Sequence, residues 1–281
     1  MAAVAVAVVA TSCGTHQSTE KPSAGDATDD ASSQVSPAAR LATARKALRD
    51  AVSGHYRARA FVDGESEPVV DEQTDFDLDD DSIEVNKDLL DVGSRRHFLV
   101  TARETADGQY VQMADWQQWD GCWARLDAKD IARTTGFDIA ATPSVPAVVT
   151  IVLEAENPTI SESDEGLHVV APADVVLQAL EISSRALVPY AKSLDGVTLP
   201  VTLTTTAEGL PDTLAVDGEE VADEIDRAGV DMSDEVTKFI RVESVGVKFG
   251  AFGDPVHIEA PPDRLLLPDG ATKDDTCPAN R

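Results

Sequence analysis

Apolar residues fall at every second position along much of this chain, and that period predicts strands. Tyr56, Ala58, Ala60 and Val62 alternate with Arg57, Arg59 and Phe61. Phe76 and Leu78 alternate with Asp75, Asp77 and Asp79, and Asp80-Asp81 reads as a turn. The pattern resumes at Ile83 and Val85, again at Phe98 and Val100, and again over Tyr110-Val111-Gln112-Met113. Short runs at near-regular spacing predict an antiparallel meander. A second block follows later. Val197, Leu199, Val201 and Leu203 alternate with Thr198, Thr202 and Thr204. Gly209-Leu210-Pro211 reads as a turn, with Leu214 and Val216 beyond it. Ile240 to Phe249 predicts a last long strand, whose apolar phase shifts between Val242 and Val245 as a β-bulge allows.

Before, between and within these blocks other stretches have helical spacing. Ser36 is a natural N-cap and Pro37 suits a first helical position. Leu41, Ala44, Leu48, Ala51 and Val52 then share one face, and Gly54 is expected to stop the helix. Residues 127–136 predict a short helix. Pro143 to Glu156 predicts another, with Val148, Val149, Val152 and Leu153 on its buried side. A strand at Leu167–Val170 leads to Pro172, which opens a helix carrying Val175, Val176, Ala179 and Leu180. Residues 219–228 predict a helix ended by Gly229.

The N-terminus has a different character. Ala2 through Ala10 are small and apolar, and Thr11-Ser12 leads directly into Cys13. Small residues before a cysteine at the end of a short hydrophobic run look like a bacterial lipobox. There the thiol takes a diacylglycerol and a peptidase cuts just before it. Nine apolar residues are too few for a membrane span, which needs about 20. The pattern departs from a full secretory signal. The first basic residue is Lys21, and Ala10 stands where a lipobox usually has Leu. The expected organisation is a signal over 1–12, shortened at its start, and a lipid anchor with a polar tether over 13–37. A folded domain over 38–270 and a polar tail over 271–281 complete it. Residues 14–37 are rich in Ser, Thr, Gly and Asp and hold too little apolar mass to offset the entropy of ordering.

Composition narrows the partners. The chain has 281 residues, 42% of them hydrophobic, enough for a sizeable core. With 23 Lys and Arg against 51 Asp and Glu, the net charge is −28. Such a surface repels nucleic acid and anionic headgroups. If Cys13 carries lipid, Cys122 and Cys277 remain, and in an exported domain two cysteines suggest one disulfide.

Candidate chemistry is sparse. Asp75 to Asp81 superficially resembles a calcium loop. Counting from Asp75, however, the sixth position is Asp80 rather than Gly and the twelfth is Asn86 rather than Glu. A half-buried strand with its acids facing water accounts for the segment better. His16, His55, His97, His168 and His257 are scattered, and His257 with Glu259 is only one pair. No phosphate-binding loop, nucleophile elbow or CxxC pair is present. The expectation is a non-enzymatic protein with no metal or cofactor. Trp116, Trp119 and Trp123 cluster around Gly121 and serve either pocket lining or ordinary packing.

Three segments, in order, carry a family resemblance. Phe249-Gly250-Ala251-Phe252-Gly253-Asp254-Pro255-Val256-His257-Ile258-Glu259-Ala260-Pro261-Pro262 resembles the closing segment of the actinobacterial LppX/LprG-like lipoproteins. Leu199-Pro200-Val201 through Gly209-Leu210-Pro211 looks like that family's hairpin, and His168-Val169-Val170 through Leu180 like its strand-then-helix unit. The acidic stretch Glu219–Lys238 and the pair Cys122 and Cys277 depart from the family pattern. The resemblance implies an α+β fold of the LolA/LolB kind, a curved antiparallel half-barrel with helices packed on its concave side. It also implies an envelope lipoprotein on the extracytoplasmic face of the membrane, holding an amphipathic lipid or glycolipid in an apolar cavity. The expected cavity walls are Val100, Trp116, Val201 and Leu203 on the sheet and Val149, Val152, Leu153, Val176 and Leu180 on helices. The alternative is an envelope interaction or sensor protein whose core is filled. No protein partner is indicated.

Overall fold

The computed structural model describes residues 35–114, 121–125, 146–160, 166–180, 182, 184–269, 271 and 275–278. The expected signal, Cys13, the tether up to residue 34, Trp116, Trp119 and the helix expected over 127–136 lie outside the described residues.

Helix α1 (Pro37–Ala51) forms where its cap and apolar spacing place it. The Ser36 hydroxyl accepts from the Ala39 amide at 3.2 Å, and Leu41, Ala44 and Leu48 are buried. Its end differs from the expectation. Val52, at φ 52°, turns the chain, and Gly54 already lies inside strand β1 (Ser53–Val62). A Cβ on Gly54 would come 2.9 Å from the Phe76 ring, so the glycine serves close packing rather than helix termination.

Strands β2 (Val70–Asp77), β3 (Ser82–Asp91), β4 (Arg96–Thr105), β5 (Gly108–Met113) and the short β6 (Ala124–Arg125) extend β1 outward as a meander. The second block begins with helix α2 (Ala147–Glu154) and edge strand β7 (Glu156–Ile160). Strand β8 (Gly166–Pro172) and helix α3 (Ala173–Ala179) follow, then the short turns α4 (Ser184–Leu187), Val188–Tyr190 and α5 (Ala191–Leu194). Strands β9 (Thr198–Thr205) and β10 (Pro211–Asp217), helices α6 (Gly218–Arg227) and α7 (Asp234–Arg241), and strand β11 (Glu243–Gly250) complete it. The second meander closes on the first through antiparallel pairing of β11 with β1. The result is one open antiparallel sheet of eleven strands among the described residues, in the order β6-β5-β4-β3-β2-β1-β11-β10-β9-β8-β7.

One parity of every long strand faces the core. Leu167, Val169, Val201, Leu203, Leu214, Val245 and Val247 share a single buried cluster with Leu48, Val149, Val152, Val176, Leu180 and Ala222 from the helices. The opposite parity carries many of the charged residues of the first meander, including Arg57, Asp71, Glu84 and Asp88.

The expected strand over Ile240–Phe249 is corrected. Ile240 is buried near the end of α7, and β11 begins only at Glu243. Ser233 caps α7, and Asp234 and Glu235 in its first turn complement the helix dipole. The shifted phase that suggested a bulge is a change of element. β11 pairs with β1 in unbroken register, and the irregularity of this region sits instead in β10, between Pro211 and Thr213. At the start of α6, a Cβ on Gly218 would lie 1.9 Å from the Ile240 carbonyl oxygen, so that crossing admits only glycine.

Beyond β11 the chain straps across one end of the sheet. The Gly253 amide donates to the Ser53 carbonyl at 3.0 Å, and the Arg103 guanidinium donates to the Glu259 carbonyl at 3.3 Å. The strap then brackets Trp123. The Trp123 amide donates to the Leu265 carbonyl at 2.7 Å, and the Leu267 amide donates to the Trp123 carbonyl at 2.8 Å. Cys122 and Cys277 form a disulfide with Cα atoms 5.6 Å apart, as the compartment argument anticipated. His257 and Glu259 lie on this strap and not on a strand. They pair with each other at 2.8 Å on the surface.

Candidate functional site

The expected wall residues form from two kinds of local sequence. Five of the eight residues of helix α2 are β-branched, and it gains its place by burial rather than propensity. Val148, Val149, Ile151 and Val152 are all buried, and Leu153 is partly so. Helix α3 opens after Pro172, buries Val176 and packs against α2, and Leu180 at its end is fully buried. Beneath them β9 alternates, so that Leu199, Val201 and Leu203 face inward. Register then fixes their neighbours. Leu203 lies between Leu167 and Leu214, and Val201 lies beside Val169. Thus Val149, Val152, Val176, Leu180, Val201 and Leu203 belong to one apolar region, with Leu153 at its margin.

Val100 is not beside them. It belongs to the same row of the sheet, Val100–Lys87–Glu72–Ala58–Val247–Leu214–Leu203, but six strands away. At about 4.8 Å per strand that is about 29 Å along the sheet. Trp116 lies outside the described residues. Trp123, buried under the Arg103 guanidinium at 4.6 Å from its ring centroid, packs against the strap rather than joining the apolar wall.

The same row reveals a site that the apolar pattern did not announce. Glu72 and Lys87 sit on the buried parity, between Ala58 and Val100. Their Oε2 and Nζ atoms are 2.8 Å apart, and Glu72 is only 5% exposed. The Tyr56 hydroxyl donates to Glu72 Oε1 at 2.6 Å and the Thr74 hydroxyl donates to the same oxygen at 2.8 Å. Burial by itself pushes the Glu72 carboxyl up. The Lys87 charge and hydrogen bond, with the two hydroxyls, outweigh it and hold the group below the usual carboxylate range. Glu243 is also buried, on the same parity of β11.

This pair was within reach of the period-2 rule. Phe76, Thr74 and Glu72 share one parity of β2, and Ile83, Val85 and Lys87 share one parity of β3. Extending each apolar run by one or two alternations places a carboxylate and an ammonium on the covered face, and the register pairs them.

The Asp75–Asp81 segment ends β2 and turns. Asp77 Oδ1 accepts from the Asp79 and Asp80 amides at 2.9 and 3.2 Å, so this carboxylate caps its own turn. Beside α3 a groove of about 660 Å³ runs between Asp174 and Gln178 on one side and Leu187, Val188 and Lys192 on the other. Val188 within it is 71% exposed. The chain matches no protein-family model, and no curated protein matches it.

Proposed function

We propose that this chain is a lipid-anchored envelope protein that holds the apolar part of an amphipathic lipid or glycolipid between its sheet and helices α2 and α3. In this reading the eleven-stranded sheet is a curved half-barrel of the LolA kind, and the helices line its concave side. The observation that carries it is convergence: apolar side chains from β8, β9, α2 and α3 meet on one covered face of an open sheet. Each buried methylene contributes about 0.8 kcal/mol, so even a short acyl tail would gain several kcal/mol there before binding costs. In this reading the groove beside α3, lined in part by Gln178 and Lys192, is the entrance. The disulfide supports export, and the small-residue run before Cys13 supports anchoring.

A second reading has its own observation. Val149, Val152, Val176 and Leu180 are completely buried by the chain itself. A core already filled in this way suits an interaction or sensor protein whose partner binds outside.

Native mass spectrometry of the chain purified from its own membranes separates the two. The carrier reading expects a lipid adduct that Leu203→Asp abolishes while circular dichroism stays unchanged. Where Leu203→Asp fails to fold, Leu203→Ala serves, with a weaker adduct expected. Lipid-free parent protein overturns the carrier and favours the filled core. Anchoring is tested separately: Cys13→Ser should release the protein from membranes or block its processing, and unchanged fractionation and migration would refute the anchor.

A further inference from the structure

The face of the sheet turned away from the apolar wall holds a second feature that cargo binding does not use. Register aligns Arg57, Gln73, Asn86, Thr101 and Gln112 in one row, one residue from each of β1 to β5. They line a groove of about 420 Å³. With strands about 4.8 Å apart, the row is about 19 Å long. Leu99, 51% exposed, stands beside it.

The charges in this groove are already matched. Arg57 grips Asp71 through two hydrogen bonds of 2.7 and 2.5 Å, and Asp88 lies 2.8 Å from His97 Nδ1. Among the uncharged groups, the hydroxyl and one amide are matched and two amides are not. The Thr101 hydroxyl donates to Asn86 Oδ1 at 2.8 Å, and Asn86 Nδ2 reaches Glu84 at 3.3 Å, which fixes that amide's orientation. The side-chain amides of Gln73 and Gln112 have no hydrogen-bond partner among the described residues. The chain has 51 acidic residues, yet none lies in this row.

Each of these glutamines offers two N–H donors and a carbonyl acceptor. That mixture suits hydroxyl groups, which donate and accept in turn. A phosphate or carboxylate would require an unpaired cation, and Arg57 is already committed to Asp71. A peptide adding as a strand would require an open edge, and this row lies across the middle of a sheet. The exposed Leu99 side chain gives the C–H face of a sugar ring an apolar surface. We infer that the groove binds a neutral glycan, an extended oligosaccharide laid across β1 to β5 with successive rings over successive strands.

Isothermal titration of the full chain with maltotetraose, cellotetraose, mannotetraose and chitotetraose tests this, with tetragalacturonate and a heparin tetrasaccharide as charged comparisons. At least one neutral tetrasaccharide should bind in the millimolar range or tighter. Gln73→Ala and Gln112→Ala should each weaken it about threefold to tenfold, the effect of one lost hydrogen bond. Both side chains are outside the core, so thermal stability should not change. Three outcomes overturn the inference: no neutral sugar binds, binding survives the double variant unchanged, or a charged saccharide binds more tightly. Lipid content of the preparation is irrelevant to all three, so the groove stands or falls apart from the cargo.

Discussion

A Lys87→Met chain should be about 3–5 kcal/mol less stable than the parent, because removing one partner of a buried ion pair leaves the other charge uncompensated. Glu72 is nearly inaccessible, and its nearest cation is Lys87 Nζ at 2.8 Å. Tyr56 and Thr74 would still donate to Oε1, but two neutral donors do not replace an ammonium. The double variant Glu72→Gln with Lys87→Met should recover most of the loss, since burying neither charge removes the penalty. Urea titration of the three chains reads this directly. A single variant within about 1 kcal/mol of the parent would mean that the pair is not held dry as described.

The pH dependence gives an independent sign. In the parent the folded-state Glu72 carboxyl titrates below its unfolded value. Its contribution is therefore present above the unfolded value and is lost as pH falls through the lower folded value. Without Lys87, burial dominates and the folded value rises above the unfolded one. The Glu72 contribution to stability should then increase as pH falls through that raised value, so the acid-side slope of the variant, compared with the parent, should shift in that direction.

How far the sequence led depends on which physical rule each element obeys. Strands whose two faces differ in polarity declared themselves. The alternations at Tyr56–Val62 and Val197–Leu203 became β1 and β9 with the expected inward sides. Elements held by tertiary contact did not. β7 contains Asn157 at φ 49° and Pro158, which read as turn residues, yet it is a legitimate edge strand because an edge tolerates both. Around Ile240 the apolar residues of a helix end and a strand start fall close together, and period alone could not separate them. The joining of β1 to β11, which sets Val100 six strands from Leu203 along the sheet, depends on pairing between residues nearly two hundred positions apart. No local pattern contains that information. The Glu72–Lys87 pair was written in the alternation but masked by composition. In so acidic a chain a glutamate in a strand reads as solvated, and only its parity with Phe76 says otherwise.

Removing the disulfide should have the other large effect. In the chain-entropy description, a link spanning 155 residues stabilises by up to about 5 kcal/mol. Residual structure in the unfolded chain lowers that figure, so Cys122→Ser with Cys277→Ser should cost about 2–5 kcal/mol. The loss should also be localised. Among the described residues strand β6 has two residues and pairs with β5 through Tyr110 and Val111. Its other support is the strap, through the Trp123 hydrogen bonds to Leu265 and Leu267 and the nearby disulfide. Without the covalent link, strap and edge strand can separate together while β8 to β10, buried under α2, α3 and α6, remain closed. Amide exchange should therefore speed up first at residues 122–125 and 265–267 and stay slow at Val169, Val201 and Leu214. Uniform acceleration across the sheet would show that the strap belongs to the global folding unit. Unchanged exchange in the double variant would show that Trp123 and its two backbone bonds hold the edge without help from the sulfur bridge.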